Sequence, residues 1–155
     1  MTEQTTQKKY ELLKDDTVEH LGRTLYRIKA LITFGLVGAG QLGGYIETEK
    51  NLDHSGNAWV YDNALVYGDA RVCGDALVRS FAVISERKMI FGASNVGSEN
   101  GTLTVFNGKY GLIVTRGCFT GTVDEFLSKS KEVHDDKTHH EYKLLIEVAQ
   151  SRILN

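Results

Sequence analysis

From Ala58 to Ile84 an alanine and an aliphatic residue recur together every six positions. The five copies are Ala58-Trp59-Val60, Ala64-Leu65-Val66, Ala70-Arg71-Val72, Ala76-Leu77-Val78 and Ala82-Val83-Ile84. Six-residue spacing does not match the 3.6-residue period of a helix, and glycine within the units counts against one. In a strand, successive side chains alternate between faces, so the aliphatic residue and the alanine four later both point inward. Bends fall between them near Asp62, Gly68, Gly74 and Ser80, where Gly and Asp tolerate unusual dihedrals. The pattern is that of stacked repeats and predicts a short parallel β-helix (a solenoid) over residues 35–96. At about three hexads per turn, the strict repeat makes fewer than two full turns and needs a cap at each end.

The flanks are expected to supply the caps. Alternation in Tyr26-Arg27-Ile28-Lys29-Ala30 predicts a strand over Thr24–Leu31. Tyr10–Leu13 is a second strand candidate, with Asp15-Asp16 and Gly22 in the turn region. Together they make an N-terminal β cap over 1–34. Beyond the repeat, residues 97–155 read as a hairpin and a two-helix module. Asn107-Gly108, between Thr102–Phe106 and Lys109–Thr115, is a strong two-residue turn signal. Thr122-Val123-Asp124-Glu125 fits a capping box that opens a first helix, with Val123, Phe126 and Leu127 starting its apolar stripe. Asp136 or Thr138 caps a second, whose stripe is Tyr142, Leu145, Ile146, Ala149 and Ile153. The helices are expected to close the solenoid or to pair with a second copy. The predicted class is mainly β with C-terminal helices.

Composition narrows the partners. The chain has 155 residues, 41% hydrophobic and 25% charged, with a net charge of −2. That balance argues against general nucleic-acid binding by a basic surface. No apolar run approaches a membrane span. The start, MTEQTTQKKYELL, lacks the apolar core of a secretory signal, so cytoplasmic residence is expected. Cys73 and Cys118 form no CxxC pair and read as reduced thiols. From Glu47 to Glu86 seven acids face three bases, and from Arg87 to Thr120 four bases face one acid. Proline is absent, which leaves the turns to Gly, Asn and Asp.

Candidate chemistry is sparse. The run Gly38-Ala39-Gly40-Gln41-Leu42-Gly43-Gly44 lacks the spacing and the Lys-Ser/Thr of a phosphate loop and reads as an irregular coil with tight glycine turns. His54, beside Asp53 and Ser55, is the one histidine near the coils, and the repeat itself holds none. His134, Asp135, Asp136, His139 and His140 cluster at the join of the helices, but no second ligand pair defines a metal site. No cofactor is expected. Trp59, Tyr61 and Tyr67 either project outward as a binding surface or lie buried beneath the flanks. Arg71 and Arg79 are expected to pair with Asp69 and Asp75.

The stretch Gly43-Gly44-Tyr45-Ile46-Glu47, Asn51-Leu52 and Gly56 through Ala64 resembles hexapeptide-repeat-like β-helix proteins of bacteria and phages. These are of the putative-transferase or polymer-forming type. Tyr26-Arg27-Ile28 fits the same pattern, and the likeness spans residues 24–84. The tail from Gly97-Ser98 through Gly117-Cys118-Phe119 to Asp124-Glu125-Phe126 looks like the C-terminal module of small phage proteins. The resemblance implies a left-handed parallel β-helix and leaves activity open. Three functions follow as expectations. The first is a non-enzymatic phage or prophage module, a homodimer that binds a host protein through Trp59, Tyr61, Tyr67, Arg71 and Arg79. A host-defence system such as CRISPR interference is one candidate target. The alternatives are a hexapeptide-type acyltransferase or its relic, and a self-assembling structural protein.

Overall fold

Leu21 and Gly22 both adopt left-handed backbone, φ 50° and 79°, the conformation of a two-residue hairpin turn. They join β1 (Tyr10–His20) to β2 (Arg23–Ala30). Asp15-Asp16, expected in that turn, lie instead where the register slips between Leu13 and Thr17. The bulge carries the Asp16 carboxylate onto Arg27 Nε at 2.9 Å. This computed structural model describes residues 8–154, so most of the polar start read for a secretory signal lies outside the described residues.

The following strands are short: β3 (Leu42–Ile46), β4 (Trp59–Val60), β5 (Leu65–Val66), β6 (Leu77–Val78) and β7 (Val83–Ile84). Each repeat strand pairs in parallel with the strand three units on, Trp59 beside Leu77 and Leu65 beside Val83. The bends fall where expected, with Asp62, Gly68, Gly74 and Ser80 all at φ between 58° and 66°.

The expected β-helix is nevertheless not what forms. β3, β5 and β7 extend the antiparallel hairpin into one mixed sheet ordered β1-β2-β3-β5-β7, and β4 and β6 make a separate two-stranded parallel sheet. The middle unit, Ala70-Arg71-Val72, contributes only an isolated bridge from Val72 to Leu52. A two-residue strand carries too few hydrogen bonds to propagate a sheet alone. The longer β2 templates the pairing instead. The glycine run divides: Ala39-Gly40 make the expected tight turn, with Gly40 at φ 91° and the Gln41 amide donating to the Gly38 carbonyl at 3.0 Å, whereas Leu42-Gly43-Gly44 are strand. A Cβ at Gly43 would sit 2.6 Å from the Val60 carbonyl and 2.7 Å from Ile28 Cγ1, so glycine is what lets β3 approach β4.

A second sheet, ordered β11-β10-β9-β8, follows: β8 (Ile90–Val96), β9 (Gly101–Gly108), β10 (Gly111–Arg116) and β11 (Phe119–Thr122). Asn107-Gly108, expected as its turn, is strand, and the turn is Lys109-Tyr110. Asn107 has another role, because its Nδ2 donates to the Val83 carbonyl at 2.9 Å. The two faces of this sheet serve different neighbours. Thr104, Thr115 and Phe106 face the repeat, while Leu103, Val105 and Val114 pack on α1 (Val123–Val133) and α2 (Asp136–Ile153). The helices therefore cover the far side of the second sheet and do not close the repeat. Their buried residues Phe126, Tyr142, Ile146, Ala149 and Ile153 belong to the stripes read from the sequence. The Thr122–Glu125 capping box forms in both directions, but the second helix is capped by Asp135, which accepts from the Thr138 amide, and not by Asp136 or Thr138.

Strand ends leave unpaired carbonyls and amides, and burial makes each of them costly. Buried polar side chains meet that demand. Tyr10 Oη donates to the Leu52 carbonyl at 2.5 Å, and Lys9 Nζ to the Ala58 carbonyl at 2.7 Å. Asn51 donates to the carbonyls of Ala70 and Gly68 and accepts from the amides of Glu47 and Thr48. Leu77 is held on both sides, its amide donating to Thr104 Oγ1 and its carbonyl accepting from Thr115 Oγ1 at 2.6 Å. Thr115→Val keeps the side-chain shape and strands the Leu77 carbonyl. It is expected to lower unfolding free energy by about 1–3 kcal/mol in urea titration, with an unchanged m-value.

Candidate functional site

Four of the five repeat units carry Asn or Asp immediately before the alanine: Asn57, Asn63, Asp69 and Asp75. All four are exposed. The fifth unit places Phe81 there, 61% exposed. The fold does not demand an aromatic at a position that faces water in every unit. The backbone of Phe81 is pinned, since its carbonyl accepts from the Lys109 amide at 2.8 Å beside a bridge from Ala82 to Gly108. This bond brings the hairpin tip alongside, and Tyr110, 78% exposed, meets Phe81 edge to face at 5.7 Å between centroids.

Beneath the two rings lies a depression of about 270 Å³, lined by Leu112, Ile113, Thr122 and Glu125 among others. The apolar surface runs on past Val123 to the exposed Leu154 in one direction, and past Leu65 and Val83 in the other. Asp124 and Glu125 border one side and Lys109 the other. The Glu125 carboxyl is held below its usual range, first by the Thr122 backbone N–H and then by the Thr122 hydroxyl. Glu125 thus stays charged at neutral pH.

The five residues expected to bind a partner do not converge. Trp59 is fully buried, edge to face with Phe34 at 5.3 Å and Tyr10 at 6.2 Å. Tyr67 is buried against His20, with Arg23 over its ring. Tyr61 is half-buried under the Arg79 guanidinium at 4.9 Å. Arg79 donates to the Gly117 carbonyl at 2.8 Å and to Thr120 Oγ1 at 3.3 Å, so it ties the repeat to the turn after β10 and does not pair with Asp69 or Asp75. Arg71 is exposed and reaches Asp53 at 3.4 Å. Phe81 and Tyr110 lie outside the five residues expected to bind a partner. The signal for Phe81 was its departure from the Asn/Asp rule of the repeat, whereas Tyr110 carried none.

His54, His134 and His139 are committed to structure. His54 Nδ1 accepts the Lys9 amide at 3.1 Å, and Nε2 lies 2.8 Å from Glu49 Oε1. That pair of contacts sets the neutral tautomer with its proton on Nε2. The ring also stacks on Tyr10 at 4.1 Å. Neither nitrogen is free to take a proton from a substrate. His134 and His139 both address the buried Ser130 hydroxyl through Nδ1, at 3.0 and 3.1 Å. Among the described residues no group of three or more His, Cys, Asp or Glu is placed to hold a metal ion, and no helix is long and apolar enough to cross a membrane. No family model and no curated protein matches this chain.

Burial lowers the Lys9 amine to about 8, with Asp53 opposing, and burial also raises the Tyr10 phenol above its ordinary value. Between pH 8 and 10 the unfolded chain holds more protons at Lys9 than the folded one, so stability is expected to rise with pH there. The slope is at most about 1.4 kcal/mol per pH unit. Above pH 10 the unfolded chain ionises Tyr10 first, and the trend reverses. Urea titrations across pH 7–11 check this, and Lys9→Met is expected to flatten the rise below pH 10.

Proposed function

We propose that this chain is a non-enzymatic protein-binding module that engages a host protein through the Phe81–Tyr110 groove. The observation that carries this reading is Phe81 itself, an exposed aromatic at the repeat position that otherwise holds Asn or Asp. Aromatic anchors over apolar depressions dominate the energetics of protein interfaces. The charged border defines the partner further. Asp124 and Glu125 beside the groove suit a partner that inserts an apolar side chain and carries a basic residue next to it. The commitment of both His54 nitrogens supports the non-enzymatic reading over an acyltransferase. The phage or prophage setting rests on the resemblance of residues 24–84 and of the C-terminal module. A host-defence complex is one partner class within it.

Phe81→Asp restores the acid of the repeat at an exposed site and is expected to change stability by no more than about 0.5 kcal/mol. Affinity capture from host extract, followed by titration of the retained protein, tests the reading. Phe81→Asp should weaken binding by about 30-fold or more, and Asp124→Lys should slow association. A retained partner that binds Phe81→Asp as tightly as the natural chain overturns the groove. Light scattering supplies a second arm. A dimer dissolved by Phe81→Asp would assign the groove to self-association and remove the host-protein reading.

A further inference from the structure

The second sheet leaves the repeat at a groove of about 360 Å³, on a different surface from the aromatic corner. Along the side of β9 that faces the repeat, residues change character with distance from the core. Phe106 is buried, Thr104 holds the Leu77 amide, and Thr102, two residues further along the strand, lines the groove. Ser94 of β8 lies beside it, with hydroxyl oxygens 3.4 Å apart. Gly92 adds no side chain, and a Cβ built there meets nothing within 4 Å. The space is therefore real and can be filled without a clash. Arg71, Cys73 and Asp75 of the repeat line the groove, as does Arg87 of the short 3-10 helix Arg87–Met89.

The two groove arginines differ from the four that are bonded into the fold. Arg23, Arg27, Arg79 and Arg116 each hold an oxygen at 2.9 Å or closer. Arg71 reaches only Asp53, at 3.4 Å, and the Arg87 side chain, which is exposed, makes no hydrogen bond or ion pair among the described residues. Two guanidinium forks with unmet donors in one groove match the oxygens of a phosphate. Asp75 accepts hydrogen bonds and cannot donate while ionised, so it favours a ligand that presents a hydroxyl near its phosphate over a second bare anion. The volume lies in the range of small-molecule sites. We propose that this groove binds a small phosphorylated polyol, its phosphate on Arg71 and Arg87 and its hydroxyls on Asp75, Ser94 and Thr102.

The two cysteines supply the test. Cys73 lines the groove, and Cys118, in the turn after β10, does not; both are exposed. Alkylation of the full chain by iodoacetamide is followed at each thiol by mass spectrometry, with glucose 6-phosphate, inorganic phosphate or glucose present. Glucose 6-phosphate is expected to slow Cys73 by about fivefold or more, with Cys118 unchanged, while inorganic phosphate protects less and glucose not at all. Arg87→Gln should raise the concentration needed by about tenfold or more. Gly92→Val should abolish protection while the melting temperature holds. If Gly92→Val unfolds the chain, the exposed Arg87 variant still decides. Lack of selective protection at millimolar ligand, or protection that survives Arg87→Gln, overturns the proposal. Equal protection by inorganic phosphate overturns the polyol assignment.

Discussion

Unpaired backbone at the ends of two-residue strands is the demand around which this molecule is organised. Strands as short as Trp59–Val60 and Leu77–Val78 have more end than middle, and their carbonyls and amides are buried. Water is excluded, so side chains must complete the bonding. Of the five buried polar residues among those described, Lys9, Asn51, Thr104 and Thr115 bond the backbone of the repeat or of the segment leading into it. Ser130 instead serves the helix junction. The N-terminal segment provides one closure with Lys9 and Tyr10, and the second sheet provides the other with Thr104, Asn107 and Thr115.

Closure decides which surface remains for function. Covering the repeat from both ends buries Trp59 and Tyr67 and binds Arg79 to the turn after β10. It also holds His54, the one histidine near the repeat, in a structural arrangement between Lys9, Glu49 and Tyr10. The same docking that removes these candidates creates others. The bond from Lys109 to Phe81 sets Tyr110 against Phe81, and the departure of the second sheet beyond Thr104 opens the groove beside Arg71 and Arg87. Both surfaces are by-products of how one layer seats on another.

Local signals read well where they depended on neighbouring residues. The bends at Asp62, Gly68, Gly74 and Ser80 follow from their backbone conformations, and the Thr122–Glu125 box follows from three-residue spacing. Signals failed where a distant partner competed. Asn107-Gly108 is a good turn in isolation, but Asn107 is drawn to the Val83 carbonyl and the turn moves to Lys109-Tyr110. Asp15-Asp16 form a bulge because Arg27, paired across the hairpin, attracts Asp16.

By itself the sequence determined the six-residue rhythm, the inward Ala and Val positions, the capped helices and the one break in the Asn/Asp rule at Phe81. Each of these rests on interactions within a few residues along the chain. Only the tertiary structure decided that β3, β5 and β7 would extend a hairpin into a mixed sheet instead of winding into a β-helix. It alone decided that Tyr110 would meet Phe81. Those outcomes turn on which remote side chains reach buried carbonyls and amides, a competition settled by distance in space.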